Sequence, residues 1–151
     1  MKIVAALSAS GLPASRLELE ITEAVLIRDD DAALAILHQL RAIGVQIALD
    51  DFGTGYSSLS YLQRFPFDKI KIDRCFVNDL AEPDGSSCIV QAVVAAARHM
   101  TTIAENVETS VQRESLRALG CTEMQGYLFS PAIPATDIRR LLRSGRDRAV
   151  A

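Results

Sequence analysis

Carboxylates recur where strand-like runs end. Glu20 falls at the close of residues 17–21, and Glu23 follows it. Asp50 and Asp51 close 45–49. Asp73 closes 69–72, with Lys71 inside that run, and Glu105 and Glu108 follow 102–104. Each run precedes a helical pattern, so the repeating unit is strand, acidic tip, helix. In a parallel barrel such tips converge on one face, the face where barrel enzymes place their chemistry. Carboxylates gathered around a lysine, in a chain with only two histidines, offer the hard oxygen donors that a divalent cation selects.

The elements that must hold these tips can be read from period and punctuation. Residues 2–10 read as the end of a helix, broken by Gly11 and Pro13. Leu17-Glu18-Leu19-Glu20-Ile21 alternates as a strand does. Asp29, Asp30 and Asp31 open a helix through Ile43, with Gly44 just past its end. Residues 45–50 form the second strand. Residues 52–57 read as a Gly- and Ser-rich loop. Ser57 caps a helix to about Phe65, and Pro66 stops it. Residues 69–73 form the third strand, 82–85 a loop, 86–100 a helix and 101–104 the fourth strand. Thr109-Ser110-Val111-Gln112 has capping-box spacing and opens a helix that ends at Gly120. Residues 122–128 form a fifth strand and 134–144 a last helix.

This pattern predicts an α/β fold of about five βα units around a parallel sheet. Residues 1–144 form one incomplete domain, and 145–151 a charged, flexible tail. An open doubly wound sheet would suit the same order of elements. The polar strand tips favour a partial TIM-like (β/α) barrel instead. A whole barrel needs eight strands and about 250 residues, so strands are expected to be missing on the N-terminal side.

Composition narrows the setting. Half of the residues are hydrophobic, and the net charge of −3 speaks against nonspecific binding to duplex nucleic acid. Cys75, Cys88 and Cys121 form no CxxC pair, which argues against zinc or a disulfide framework and fits a reducing cytoplasm. The first residues lack a signal-peptide pattern. No apolar run approaches the roughly 18 residues of a membrane span.

Asp50-Asp51-Phe52-Gly53-Thr54-Gly55-Tyr56-Ser57-Ser58-Leu59 is the most specific stretch. Adjacent carboxylates at a strand end can serve two cations, or a cation and a water. Gly53 and Gly55 let the loop turn sharply and approach a ligand. An isolated Asp-Asp is more often a loop with a helix cap. Here the ten-residue string as a whole resembles the signature of the EAL phosphodiesterase family, which hydrolyses cyclic di-GMP in bacterial signalling. The resemblance extends over roughly residues 2–143. Leu17-Glu18-Leu19-Glu20-Ile21-Thr22-Glu23 is similar to the family's acidic strand, and Lys69-Ile70-Lys71-Ile72-Asp73 to its Lys-Ile-Asp. Ala104-Glu105-Asn106-Val107-Glu108-Thr109 matches the next acidic motif, and Gln125-Gly126-Tyr127-Leu128-Phe129-Ser130-Pro131 the closing one.

The resemblance implies roles. Glu20, Asp50, Asp51 and Glu105 are expected to bind Mg2+ or Mn2+. Lys71, Glu105 and Gln125 are expected to be catalytic, with Lys71 steering water or offsetting charge. Glu23 would hold the loop after Asp51, and Asp73 and Glu108 would support the ligands from behind. The product would be linear pGpG. Cyclic di-GMP is a dianion that bare carboxylates repel, and metal loading reverses that local sign. Asn106 stands where the family usually has glycine. Two family metal ligands have no counterpart here: the glutamate of Glu-Ala-Leu, and an asparagine upstream of the Glu20 strand. Glu23-Ala24-Val25 belongs to the later motif.

The chain therefore resembles the C-terminal five-eighths of the domain and is expected to be inactive alone. Its open edges predict a homodimer or a complementing N-terminal half-domain, with Ile47, Leu49 or their neighbours on the other face meeting water. A competing reading is a non-catalytic remnant that binds cyclic di-GMP or a partner. A third is metal-assisted proton abstraction on an enolase-like barrel, suggested by Lys69-x-Lys71; the loop from Asp50 to Leu59 counts against it. His38 and His99 read as structural or surface residues. Phe65, Phe67 and Phe76 read as packing, and Tyr56 as either packing or ligand contact. The arginine run from Arg139 to Arg148 reads as a solvated helix end.

Overall fold

The computed structural model describes residues 2–28, 30–53, 59–81, 87–97 and 99–148. Five strands form one parallel sheet: β1 (Glu18–Thr22), β2 (Gln46–Phe52), β3 (Lys69–Ile72), β4 (Thr101–Ala104) and β5 (Glu123–Met124). Their order in space is their order in sequence. A doubly wound sheet reverses direction at a switch point. A barrel adds each strand beside the last, and this sheet does so without a reversal.

Among the described residues eight α-helices accompany the strands: α1 (Lys2–Ser10), α2 (Glu23–Arg28), α3 (Asp30–Ala42), α4 (Leu59–Arg64), α5 (Arg74–Asn78), α6 (Ser87–Ala96), α7 (Ser110–Ala118) and α8 (Ala135–Arg148). The box predicted at Thr109 opens α7. Its side chain accepts from Gln112 N–H, and Gln112 reaches back to the Thr109 backbone. Two helices were not expected, α2 directly after β1 and α5 directly after β3. At five or six residues each, they are too short to show a helical period. The fifth strand is shorter than predicted, because the chain turns at Gly126. The expected cap at Ser57 and the loop at 82–85 lie outside the described residues. α8 runs through Arg148, past the Gly145 where the sequence predicts a tail.

The two faces of the sheet differ in chemistry. Ile47, Leu49, Ile70, Ile72 and Ala104 join Leu37 and Leu40 of α3, Val90 and Val93 of α6 and Leu116 of α7 in one hydrophobic cluster. Burying each large aliphatic side chain contributes about 1.5–3 kcal/mol. Strand alternation sends the intervening residues to the other face, where Glu18, Glu20, Asp50, Lys69 and Lys71 meet across the strands. The expectation that Ile47 and Leu49 meet water is thus corrected. Both are fully buried, because they face the helices and leave the concave face to polar groups. α1 adds Ile3 and Leu7 at the margin of the same cluster.

Candidate active site

Lys71 is the centre of the concave face. It points inward from β3 and is only 4% exposed. Its Nζ lies 2.8 Å from Glu20 Oε2 on β1, 2.9 Å from Asp50 Oδ1 on β2 and 2.7 Å from Glu105 Oε1 after β4. Burial works against the ammonium charge, but close pairing with the Glu105, Glu20 and Asp50 carboxylates outweighs it. The Lys71 pKa is therefore pushed above the ordinary lysine range. A lysine so held is a fixed cation at neutral pH.

Asp50 and Asp51 are consecutive, so regular alternation would send them to opposite faces. The register of β2 against β3 shifts between Leu49 and Phe52, and Asp51 takes φ 55°. This irregularity re-aims a side chain, as bulges beside active sites do. Oxygens of Asp50, Asp51 and Glu105 consequently come within 4.8 Å of one another. Burial, then repulsion from Asp50 and Asp73, raises the Asp51 pKa above its ordinary 3.8. Among the described residues Asp50 Oδ1 is buried without an aligned hydrogen-bond donor, although Lys71 Nζ is 2.9 Å away. The ion pair supplies attraction without an aligned donor. An all-oxygen cluster with one buried oxygen lacking a hydrogen bond fits a hard divalent cation.

Gln125 completes the arc from the end of β5. Its Nε2 donates to Glu105 Oε1 at 2.8 Å, and its backbone N–H donates to Ala104 O at 2.9 Å. Gly126 makes this approach feasible, since a β-carbon there would collide with the Val107 backbone. The two loops are also joined by Val107 N–H to Gln125 O at 3.0 Å. A cleft of about 470 Å³ opens beside Gln125, lined among others by Asn106, Tyr127 and Pro131.

The remaining expected residues lie outside this cluster. Glu23 is buried at the start of α2, where its Oε1 accepts from Gly53 N–H at 3.4 Å. Asp73 caps α5, accepting from Cys75 N–H at 2.9 Å. Burial pushes its carboxyl up, but hydrogen bonds from Cys75 and Arg74 prevail and hold it below the ordinary value. Glu108 is exposed and accepts from Asn106 Nδ2 at 3.2 Å. Asn106 has φ 55°, a left-handed conformation that asparagine tolerates better than most residues, which accounts for its standing in a glycine position. Tyr56 lies outside the described residues. His38 and His99 are exposed, while Phe65 and Phe67 are buried with ring centroids 5.9 Å apart.

One group was missed in the sequence. Lys69 Nζ lies 3.0 Å from Glu18 Oε2 and 3.1 Å from Glu123 Oε2. This second lysine layer sits one strand period below Lys71 and ties β3 to both edge strands. The spacings Glu18-x-Glu20, Lys69-x-Lys71 and Glu123-x-Gln125 carried that signal.

The EAL domain model matches residues 1–132. The bifunctional diguanylate cyclase/cyclic di-GMP phosphodiesterase MucR of Pseudomonas aeruginosa is 49% identical over 135 residues, which are 88% of this chain and 20% of MucR. A PaMucR phosphodiesterase–c-di-GMP complex matches 90% of this chain and 56% of its own, with a TM-score of 0.85 and 48% identity. The EAL domain of Mycobacterium smegmatis DcpA gives a TM-score of 0.88 at 41% identity, over 95% of this chain and 65% of that one. Klebsiella pneumoniae BlrP1, solved as a manganese/cy-diGMP complex, gives 0.80 at 38% identity, over 85% of this chain and 33% of BlrP1. The chain thus spans about a fifth of the curated MucR and somewhat over half of the first two solved domains. The family model covers most of the chain and the solved EAL structures superpose on it at these identities, and the chain belongs to the EAL domain family.

Proposed function

We propose that these 151 residues supply one side of a metal-dependent cyclic di-GMP phosphodiesterase site, whose product is linear pGpG. The observation that carries this reading is the meeting of Asp50, Asp51 and Glu105 oxygens within 4.8 Å, beside a buried lysine. Glu20, Asp50, Asp51 and Glu105 would hold Mg2+ or Mn2+. The bound cation supplies Lewis acidity and makes a water nucleophilic at neutral pH. Lys71 offsets carboxylate charge and orients the nucleophilic water's surroundings. Gln125 fixes the Glu105 carboxylate and presents its amide toward the adjoining cleft. Glu23 holds the turn after Asp51. Asp73 anchors the helix that follows Lys71, and Glu108 restrains Asn106. Residues 1–144 act as the domain unit and 145–151 as its charged tail, in a cytoplasmic setting.

Taken alone, these residues turn over cyclic di-GMP negligibly. Among the described residues, β1 and β5 each have a sheet neighbour on one side only, and the carboxylate arc is open beyond Glu20. A homodimer or a complementing N-terminal half-domain would cover those edges. The test is cyclic di-GMP hydrolysis by the purified chain in excess Mg2+ or Mn2+. Turnover of about 1 per second or faster would overturn the proposed inactivity. Manganese binding that is unchanged by Asp50→Asn would overturn the site itself.

A further inference from the structure

Phe76 of α5 lies against the turn that follows Asp50 and Asp51. Gly53 in that turn has φ +98°, and a β-carbon there would stand 2.6 and 2.9 Å from Cε2 and Cζ of the Phe76 ring. The ring edge therefore occupies the space that any side chain at position 53 would need. On the backbone N–H of the same glycine sits Glu23 Oε1 at 3.4 Å. Two residues earlier, Asp51 holds φ 55°. Such a conformation is uncommon outside glycine, and in a strand end it needs the surroundings to hold it.

Phe76 is itself well fixed. Asp73 caps α5 and accepts from Cys75 N–H, and Phe76 N–H donates to Asp73 O at 3.2 Å. The neighbouring Val77 is fully buried, and Phe76 packs against the hydrophobic cluster. The segment that delivers Lys71 thus also delivers the ring.

We propose that Phe76 is a positioning residue for the Asp50–Asp51 pair. Its ring and the Glu23 carboxylate clamp Gly53, and the clamp keeps Asp51 in the left-handed conformation that brings its carboxylate toward Asp50 and Glu105. This rests on reading that cluster as a cation site. A side chain at 76 without a ring releases the turn, and Asp51 relaxes away from the other two ligands.

The test compares the parent chain with Phe76→Leu, Phe76→Ala and Asp50→Asn. Manganese affinity is followed by the electron paramagnetic resonance of free Mn2+. Amide hydrogen exchange is followed by NMR without metal. Phe76→Leu keeps apolar volume in the core and guards against loss of folding in the alanine variant. The expected result is Mn2+ affinity weakened about tenfold or more, with Gly53 exchange accelerated and the Ile70 and Ile72 amides unchanged. Unchanged Gly53 exchange in both Phe76 variants overturns the clamp, whether or not metal binds. Acceleration of all amides together also overturns it, because Phe76 is then only a core residue. If Asp50→Asn leaves manganese binding as it was, the cation-site reading fails, and Gly53 exchange still decides the clamp.

Discussion

The ends of β2 and β3 carry the same residue type and treat it in opposite ways. Asp51 sits in a bulge with a positive φ, and burial, then crowding by Asp50 and Asp73, pushes its carboxyl up. Asp73 has an extended backbone, caps a helix and accepts from backbone N–H groups, and its carboxyl is pulled down. One carboxylate stabilises the fold by being charged, while the other is charged at the fold's expense. Groups held at such a cost gather where function needs them. Lys71 pairs with Asp50 and offsets the charge of the β2 side.

The contrast breaks most severely if Lys71 is removed. Lys71→Met leaves Glu20, Asp50 and Glu105 facing one another without their common cation. We expect a loss of about 3 kcal/mol, toward the low end for breaking a buried ion pair because Glu20 is half-exposed. Urea unfolding at neutral pH in a chelator measures it, and an unchanged midpoint would show that solvent already screens the cluster.

Asp73→Ala removes the favourable tip. Loss of the cap on α5 should cost about 1 kcal/mol. The sign of its pH dependence follows from the lowered pKa. Stability from Asp73 is present above its ordinary 3.8 and is lost as pH falls through its folded value. The variant should therefore lose less stability than the parent on acidification below about pH 4, as read from melting temperatures across pH.

Asp51→Asn gives the smallest effect, with the reverse sign. A raised folded pKa means that the native state binds more protons than the unfolded chain just above pH 3.8. Stability then falls as pH rises through the folded value. The amide variant escapes that loss, so the metal-free chain should melt slightly higher at pH 7, by a gain of about 0.5 kcal/mol, within the range of surface substitutions. Manganese affinity should fall in the same variant. A lower melting temperature would show that Asp51 supports the fold in its charged form.

Much of the site was legible because it is written in strand period. The alternation of Glu18 with Glu20 and of Lys69 with Lys71 places like residues on one face. Thr109 and Gln112 encode a cap within four residues of chain. α2 and α5 were not legible, since each is a single short turn stabilised by what surrounds it. Asp73 was expected to back the ligands from behind; the sequence did not show that it also caps the next helix, accepting from Cys75 N–H. Glu108 was expected to support the ligands as well, and its exposed side chain accepts from Asn106, beside Glu105.

By itself the sequence determined that five βα units follow one another, the first four with acidic tips, that their lysine lies within the third strand, and that apolar residues alternate with the polar ones. Local propensity, hydrophobic period and capping chemistry act over a few residues, so they are present in the chain before it folds. Only the tertiary structure decided that Asp50 and Asp51 share a face, because the bulge exists through pairing of β2 with β3. It also decided that one ammonium serves three carboxylates from three strands, and that an aromatic ring closes on Gly53. Each of these depends on contacts between segments 20 or more residues apart, where the outcome rests on register and packing and no local pattern records it.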